Sequence, residues 1–100
     1  MKTTITEKDG KTIVAVKGEL DTDTSKVFQK DVEPLTEKEG LTVEMEVSGL
    51  EYISSKAIRV LISFQQAIRS KGGTLKLTGV QPAVREVFDM TGLSKSFLAE

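Results

Sequence analysis

The chain has 100 residues, and it contains no cysteine, no histidine and only five aromatic residues. Without cysteine there can be no disulfide framework and no thiolate nucleophile. Without histidine, catalytic triads that use it and zinc sites built on Cys and His are excluded as well. We therefore expect neither a metal nor a cofactor, and a core built mainly from Val, Ile, Leu and Met.

An excess of charge of one sign and long apolar runs are also missing. Fourteen basic and fifteen acidic residues leave a formal charge of −1, which does not favour the clustered basic surface that nucleic acid requires. No apolar run approaches the length of a membrane span, and the N-terminus lacks the apolar stretch of a secretion signal. We expect a cytoplasmic protein that binds neither nucleic acid nor membranes, and a monomer rather than an oligomer.

The composition and the first elements suit one globular domain over residues 1–100, with 38% hydrophobic and 29% charged residues. Residues 3–7 and 11–20 predict two strands joined at Asp9-Gly10, a strong hairpin signal. The second strand carries apolar residues on both faces, which suits a strand inside a covered sheet, and we expect helices on one or both faces of that sheet.

Helices and strands alternate after this hairpin. N-cap residue types at 22–25 introduce a helix whose apolar residues recur at spacings of three and four, and Pro34 is expected to kink or shorten it. Residues 41–47 alternate as the next strand, and Ser48-Gly49 is expected to begin a short connection.

The longest helix signal begins at Ser54 or Ser55. Its apolar stripe has four-residue and three-residue spacings: Ala57, Leu61, Phe64 and Ile68. Glycines at 72–73 end this helix, a strand around residues 75–77 follows, and a last helix runs from Pro82 to Met90. Phe97-Leu98 could add an edge strand. The order predicts an α/β fold with a mixed, mostly parallel sheet of four to five strands flanked by helices.

Two segments could carry function. The first is the turn around Asp21 and Asp23, whose carboxylates could bind a partner's basic groups or could simply cap the following helix. The second is the start of the long helix, where a Ser hydroxyl could cap the helix or accept a phosphate that the helix N-terminus tolerates. Because both segments follow strands of a mostly parallel sheet, we expect them to meet at its carboxyl edge.

Several stretches together resemble the STAS-domain anti-sigma factor antagonists of bacteria. They follow one another in this order over nearly the whole chain: residues 18–21 (GELD), 47–55 (VSGLEYISS), 59–61 (RVL), 72–75 (GGTL) and 84–93 (VREVFDMTGL). The resemblance implies a sheet flanked by helices. It also implies that the unphosphorylated protein binds a serine-kinase-type anti-sigma factor, which phosphorylates a Ser or Thr at the start of the long helix, and that a serine phosphatase reverses the modification.

The family's run at this helix start is Ser-Ser-Ala-Gly-Leu or Asp-Ser-Ser-Gly-Leu, whereas this chain has Ser-Ser-Lys-Ala-Ile at residues 54–58. In the first register Ser54 and Ser55 are retained, and either could be the acceptor. In the second register Lys56 occupies the acceptor position. We therefore expect a partner surface formed by the turn and the helix start: Asp21, Asp23, Ser54, Ser55, Lys56, Ala57 and Arg59.

Three functions stay open at this point. The first is a binding module switched by phosphorylation at Ser55 or Ser54. The second is a constitutive binding module of the same fold, a scaffold or transport-complex subunit, in which Lys56 prevents the switch. The third is a small enzyme, which we do not favour because no acid–base pair can be assembled from the residues present.

Overall fold

A computed structural model describes residues 1–98 of the chain, so the last two residues of the predicted domain lie outside the described residues. The secondary structure consists of β1 (Lys2–Lys8), β2 (Lys11–Leu20), α1 (Thr22–Val32), a 3₁₀ helix (Glu33–Glu37), β3 (Thr42–Ile53), α2 (Ser55–Ser70), β4 (Thr74–Thr78), α3 (Pro82–Thr91) and α4 (Ser94–Phe97). None of the helices within residues 1–98 combines the length and the apolar character that crossing a membrane requires.

The four strands form one sheet in the order β1-β2-β3-β4. Strands β1 and β2 are antiparallel, whereas β2, β3 and β4 are parallel to one another. The predicted mixed, mostly parallel sheet of an α/β domain is thereby confirmed.

Only one face of the sheet is buried. Val14, Met45 and Leu77 share one row of the register and are each 1% exposed or less. The neighbouring row on the other face, which includes Ile13 and Glu44, is only half-buried. Of the two expected arrangements, helices on one face or on both, the described residues show the first. The polar partners of Ile13 allow that face to meet water.

The helices cover the buried face as their apolar spacing predicts. The predicted stripe of α2 is buried, and the Phe64 ring packs edge-on against Phe28 of α1 with 6.0 Å between ring centroids. Helix α1 ends at Val32 because Pro34 has no N–H to continue the α-helical pattern, and the 3₁₀ helix follows. Both helices therefore rest on a single core.

Strand β3 continues to Ile53, six residues beyond the predicted end, so Ser48-Gly49 is not a connection. The strand continues because β2 shifts register twice, which keeps Lys17 paired with Gly49 and Leu20 paired with Ile53. A Cβ on Gly49 would lie 2.8 Å from Cγ of Lys17. The glycine at position 49 therefore allows the two strands to approach closely. With this pairing, the end of β3 lies level with the end of β2.

The C-terminal segment covers the free edge of β4. Residues 94–97 form the short α4, and Leu98 makes an isolated parallel bridge to Leu77, so the predicted edge strand is reduced to one bridge. The buried side chain of Gln65 holds this segment in place, since its Nε2 donates to the carbonyl oxygens of Leu75 and Ser96 at 3.2 and 2.8 Å.

Candidate functional site

Helices α1 and α2 begin side by side at the carboxyl edge of the sheet. Leu20, the last residue of β2, pairs with Ile53, the last residue of β3. The next residues, Asp21 and Ser54, are the N-caps of the two helices. The Ser54 N–H donates to the Leu20 carbonyl oxygen at 2.8 Å. We call residues 21–24 and 54–57 the paired N-termini.

The N-terminus of α1 is closed by a reciprocal capping box. Oδ1 of Asp21 accepts from the Thr24 N–H at 2.8 Å, and Oγ1 of Thr24 accepts from the Asp21 N–H at 2.9 Å. The hydrogen bond from the Thr24 backbone, followed by that from its side chain, lowers the pKa of Asp21. Capping therefore accounts for Asp21, whereas Asp23 is exposed in the first turn of α1.

The two serines of α2 differ in their surroundings. Oγ of Ser54 accepts from the Ala57 N–H at 3.1 Å, and the residue is half-buried. The Ser55 side chain is exposed, and within residues 1–98 its hydroxyl has no hydrogen-bond partner. Ser54 therefore fills a capping role, while Ser55 presents its hydroxyl to solvent at the first helical position.

Of the other residues predicted at the helix start, two have exposed side chains and one is buried. Lys56 and Arg59 are exposed, and Arg59 lies one turn after Ser55 on the same side of α2. Ala57 is only 1% exposed, so its assignment to the partner surface is wrong. The spacing that places Ala57 in the apolar stripe also turns its methyl group into the core.

Tyr52 is a surface residue at this edge that was not predicted as part of the partner surface. Its side chain is 50% exposed, and the residue pairs with Glu19 at the end of β2. Alternation did not signal it, because β3 loses its two-residue period after Val47, with Leu50 and Ile53 buried and Tyr52 exposed. A large exposed aromatic beside the paired N-termini offers a contact area that charged side chains do not.

The paired N-termini contain hydroxyls, carboxylates and one basic side chain, that of Lys56. Within residues 1–98, no group of three or more acidic side chains is placed to hold a metal ion. The arrangement can bind a protein surface or accept a phosphate, and its exposed groups do not form a nucleophile–base pair.

Comparison with known proteins identifies a family and several relatives. The sequence profile of the STAS domain covers residues 2–100. BtrV of Bordetella bronchiseptica, a candidate anti-sigma factor antagonist by name, is 29% identical over 97 residues, which are 97% of this chain and 84% of BtrV. The anti-sigma-B factor antagonist of Bacillus subtilis is 28% identical over 80 residues, 80% of this chain and 72% of that protein.

A solved structure has the same fold. The crystal structure of an anti-sigma factor antagonist from Mycobacterium paratuberculosis superposes with a TM-score of 0.85 at 23% identity, covering 96% of this chain and 81% of that one.

Proposed function

The chain belongs to the STAS domain family, and we propose that it is an anti-sigma factor antagonist that binds a serine-kinase-type anti-sigma factor in the cytoplasm. The relatives named for this activity span most of the chain and support the class of function. On this proposal the protein is a regulatory binding module and not an enzyme.

The juxtaposition of the two helix starts carries this proposal. One hydrogen bond between Ser54 and Leu20 holds them together, which places the exposed side chains of Asp23 and Ser55 on the same edge of the sheet. The proposed kinase both binds this chain and phosphorylates it. One continuous surface of the chain can serve both interactions. We propose that this surface comprises Asp23, Ser55, Lys56 and Arg59, with Tyr52 at its margin.

We further propose that Ser55, rather than Ser54, accepts the phosphate. The Ser54 oxygen is engaged by the Ala57 N–H, whereas the Ser55 hydroxyl is exposed. A phosphate at the first helical position would add a charge of about −1.5 to −2 where the helix dipole tolerates it. The domain would stay folded, and the new charge and bulk would lie in the middle of the contact surface and release the kinase.

Capture from the native bacterium tests the proposal. Tagged protein is used as bait, and bound proteins are identified by mass spectrometry. We expect a serine-kinase-type anti-sigma factor to bind the wild type and Ser55→Ala, and to be lost with Ser55→Asp and Asp23→Lys. Asp23 is chosen instead of Asp21 because Asp21 caps α1. Lys8→Glu, an exposed change at the end of β1, serves as the control.

Equal capture of the kinase by all four variants would contradict the proposed surface. If Ser55→Asp still captured the kinase while Asp23→Lys did not, the proposed surface would stand but release by phosphorylation would be contradicted.

A constitutive binding module is the second candidate, and the position of Lys56 favours it. Lys56 is exposed immediately after Ser55, and its charge could partly offset a phosphate there, although an exposed pair of this kind contributes only about 0–1 kcal/mol. The intact mass of the natively expressed protein, measured with and without phosphatase treatment, separates the candidates. A phosphorylated species supports the switch and a serine phosphatase as second partner. A single unmodified mass under every growth condition supports the constitutive module.

A further inference from the structure

A groove separates α1 and the 3₁₀ helix from α2, on the helical layer of the domain. Its volume is about 530 Å³, within the range of about 300–1,000 Å³ typical of small-molecule sites. The floor is apolar and consists of side chains that already belong to the core or border it: Val32, Val60, Phe64 and Ala67. An occupant would therefore meet hydrocarbon at the bottom of the groove.

The two rims of the groove differ in charge. Lys26 and Lys30 line the α1 side, four residues apart and hence on the same side of the helix. Both side chains are exposed, and neither forms an ion pair within residues 1–98. The α2 rim is neutral at Ser63, and Glu33 lies beyond Lys30 at the end of α1.

We propose that this groove binds a fatty acid anion, a single acyl chain with one carboxylate. The apolar floor suits the chain, because burying its CH₂ groups against hydrocarbon is favourable. The two unpaired ammonium groups attract the carboxylate, and they would bind a cationic or a neutral head group less well. Glu33 also lines the groove, three residues after Lys30, and its negative charge disfavours a carboxylate at that end.

This site does not depend on the proposed binding of a kinase. It uses neither Ser55 nor Asp23, and its lining comes from α1 after its first turn, from the 3₁₀ helix and from the middle of α2. The site can therefore be tested on the purified, unmodified chain.

Titration with dodecanoate below its micelle concentration, followed by backbone amide NMR, is the experiment. We expect saturable shifts centred on residues 26–36 and 60–67. Dodecyltrimethylammonium, which has the same chain and the opposite charge, is expected to bind at least about tenfold more weakly. Binding of both amphiphiles with equal affinity, or shifts centred elsewhere, would overturn the proposal.

Two variants sharpen the test. The double change Lys26→Glu with Lys30→Glu is expected to weaken dodecanoate binding about tenfold, whereas the matched change Lys2→Glu with Lys8→Glu on β1 is expected to alter it less than twofold. Ala67→Trp should fill the groove and abolish saturation while the amide spectrum stays that of a folded domain. Undiminished binding by the Lys26/Lys30 variant would overturn the proposal. So would groove signals that broaden with protein concentration alone, because a second copy would then be the occupant.

Discussion

The N-termini of α1 and α2 occupy equivalent places in the fold, yet their charges are opposite. Helix α1 begins with the carboxylate of Asp21 in a capping box and has Asp23 in its first turn. Helix α2 begins with a neutral serine cap, has no acidic residue in its first turn and places Lys56 there. Anions stabilise this end of a helix and cations do not. The N-terminus of α1 thus already carries the negative charge that stabilises it. The N-terminus of α2 lacks such a charge, and an added phosphate would supply it.

The largest effect is expected from the core that both helix starts share. Leu61 lies on the buried face of α2 and is 1% exposed. Leu61→Ala should therefore lower the free energy of unfolding by about 2–5 kcal/mol. Chemical denaturation measures this change. Ser63→Ala, on the exposed face of the same helix, should stay within about 0.5 kcal/mol. An unfolding midpoint that Leu61→Ala leaves unchanged would show that the stripe does not support α2.

The two serines of α2 provide the next contrast. Ser54→Ala removes the acceptor of the Ala57 N–H and should lower the free energy of unfolding by about 1 kcal/mol. Ser54→Asp, which gives α2 the cap type of α1, should leave stability near that of the wild type. Ser55→Ala should change it by less than about 0.5 kcal/mol, because the Ser55 hydroxyl is exposed. Equal losses from both alanine variants would contradict the division of roles between the serines.

Reversing the charge of Lys56 should make α2 resemble α1 more closely. Lys56→Glu places an anion in the first turn of α2 and should raise the free energy of unfolding by about 0.3–1 kcal/mol at low ionic strength. In 1 M salt the gain should largely disappear, since the Debye length falls to about 3 Å. Arg69→Glu, in the last turn of the same helix, is the matched control and should destabilise. A loss of stability with Lys56→Glu would contradict the contrast.

The smallest effect is expected from acid, and of the two helix starts only that of α1 should respond to it. Because hydrogen bonds from Thr24 lower the pKa of Asp21 in the folded state, its stabilising contribution is present above the usual Asp value of about 3.9. That contribution is lost as pH falls through the folded-state pKa. Asp21→Asn keeps a capping side chain without the titration, so its stability should fall less steeply with acid in denaturation curves. The Ser54 cap has no such dependence, and identical slopes for wild type and Asp21→Asn would contradict this assignment.

Periodicity and turn residues predicted most of the fold, because they reflect local chemistry. The hairpin at Asp9-Gly10, the end of α1 before Pro34 and the buried stripe of α2 are confirmed. The end of β3 was predicted wrongly, because Ser48-Gly49 reads as a turn in isolation. Only the register of β2, which brings Lys17 against Gly49, shows that glycine is needed there for close approach.

The site was predicted in outline but not residue by residue. The meeting of the two helix starts follows from the parallel order of β2 and β3, which the alternation of strands and helices indicates. Which serine caps the helix and which is exposed depends on a single hydrogen bond to the Ala57 N–H, and a serine suits either position. The inward orientation of Ala57 follows from its place in the apolar stripe, and that spacing was available in the sequence.

The hydrogen bond between Ser54 and Leu20 also determines when, during synthesis, the paired N-termini can first form. It joins segments separated in the chain by α1, the 3₁₀ helix and β3, so it forms only after a long loop has closed. During synthesis, which proceeds from the N-terminus, the β1–β2 hairpin can form early, but the two helix starts cannot meet until the first turn of α2 has been made. On the proposed function, a kinase that requires both helix starts would therefore not bind chains that end before α2.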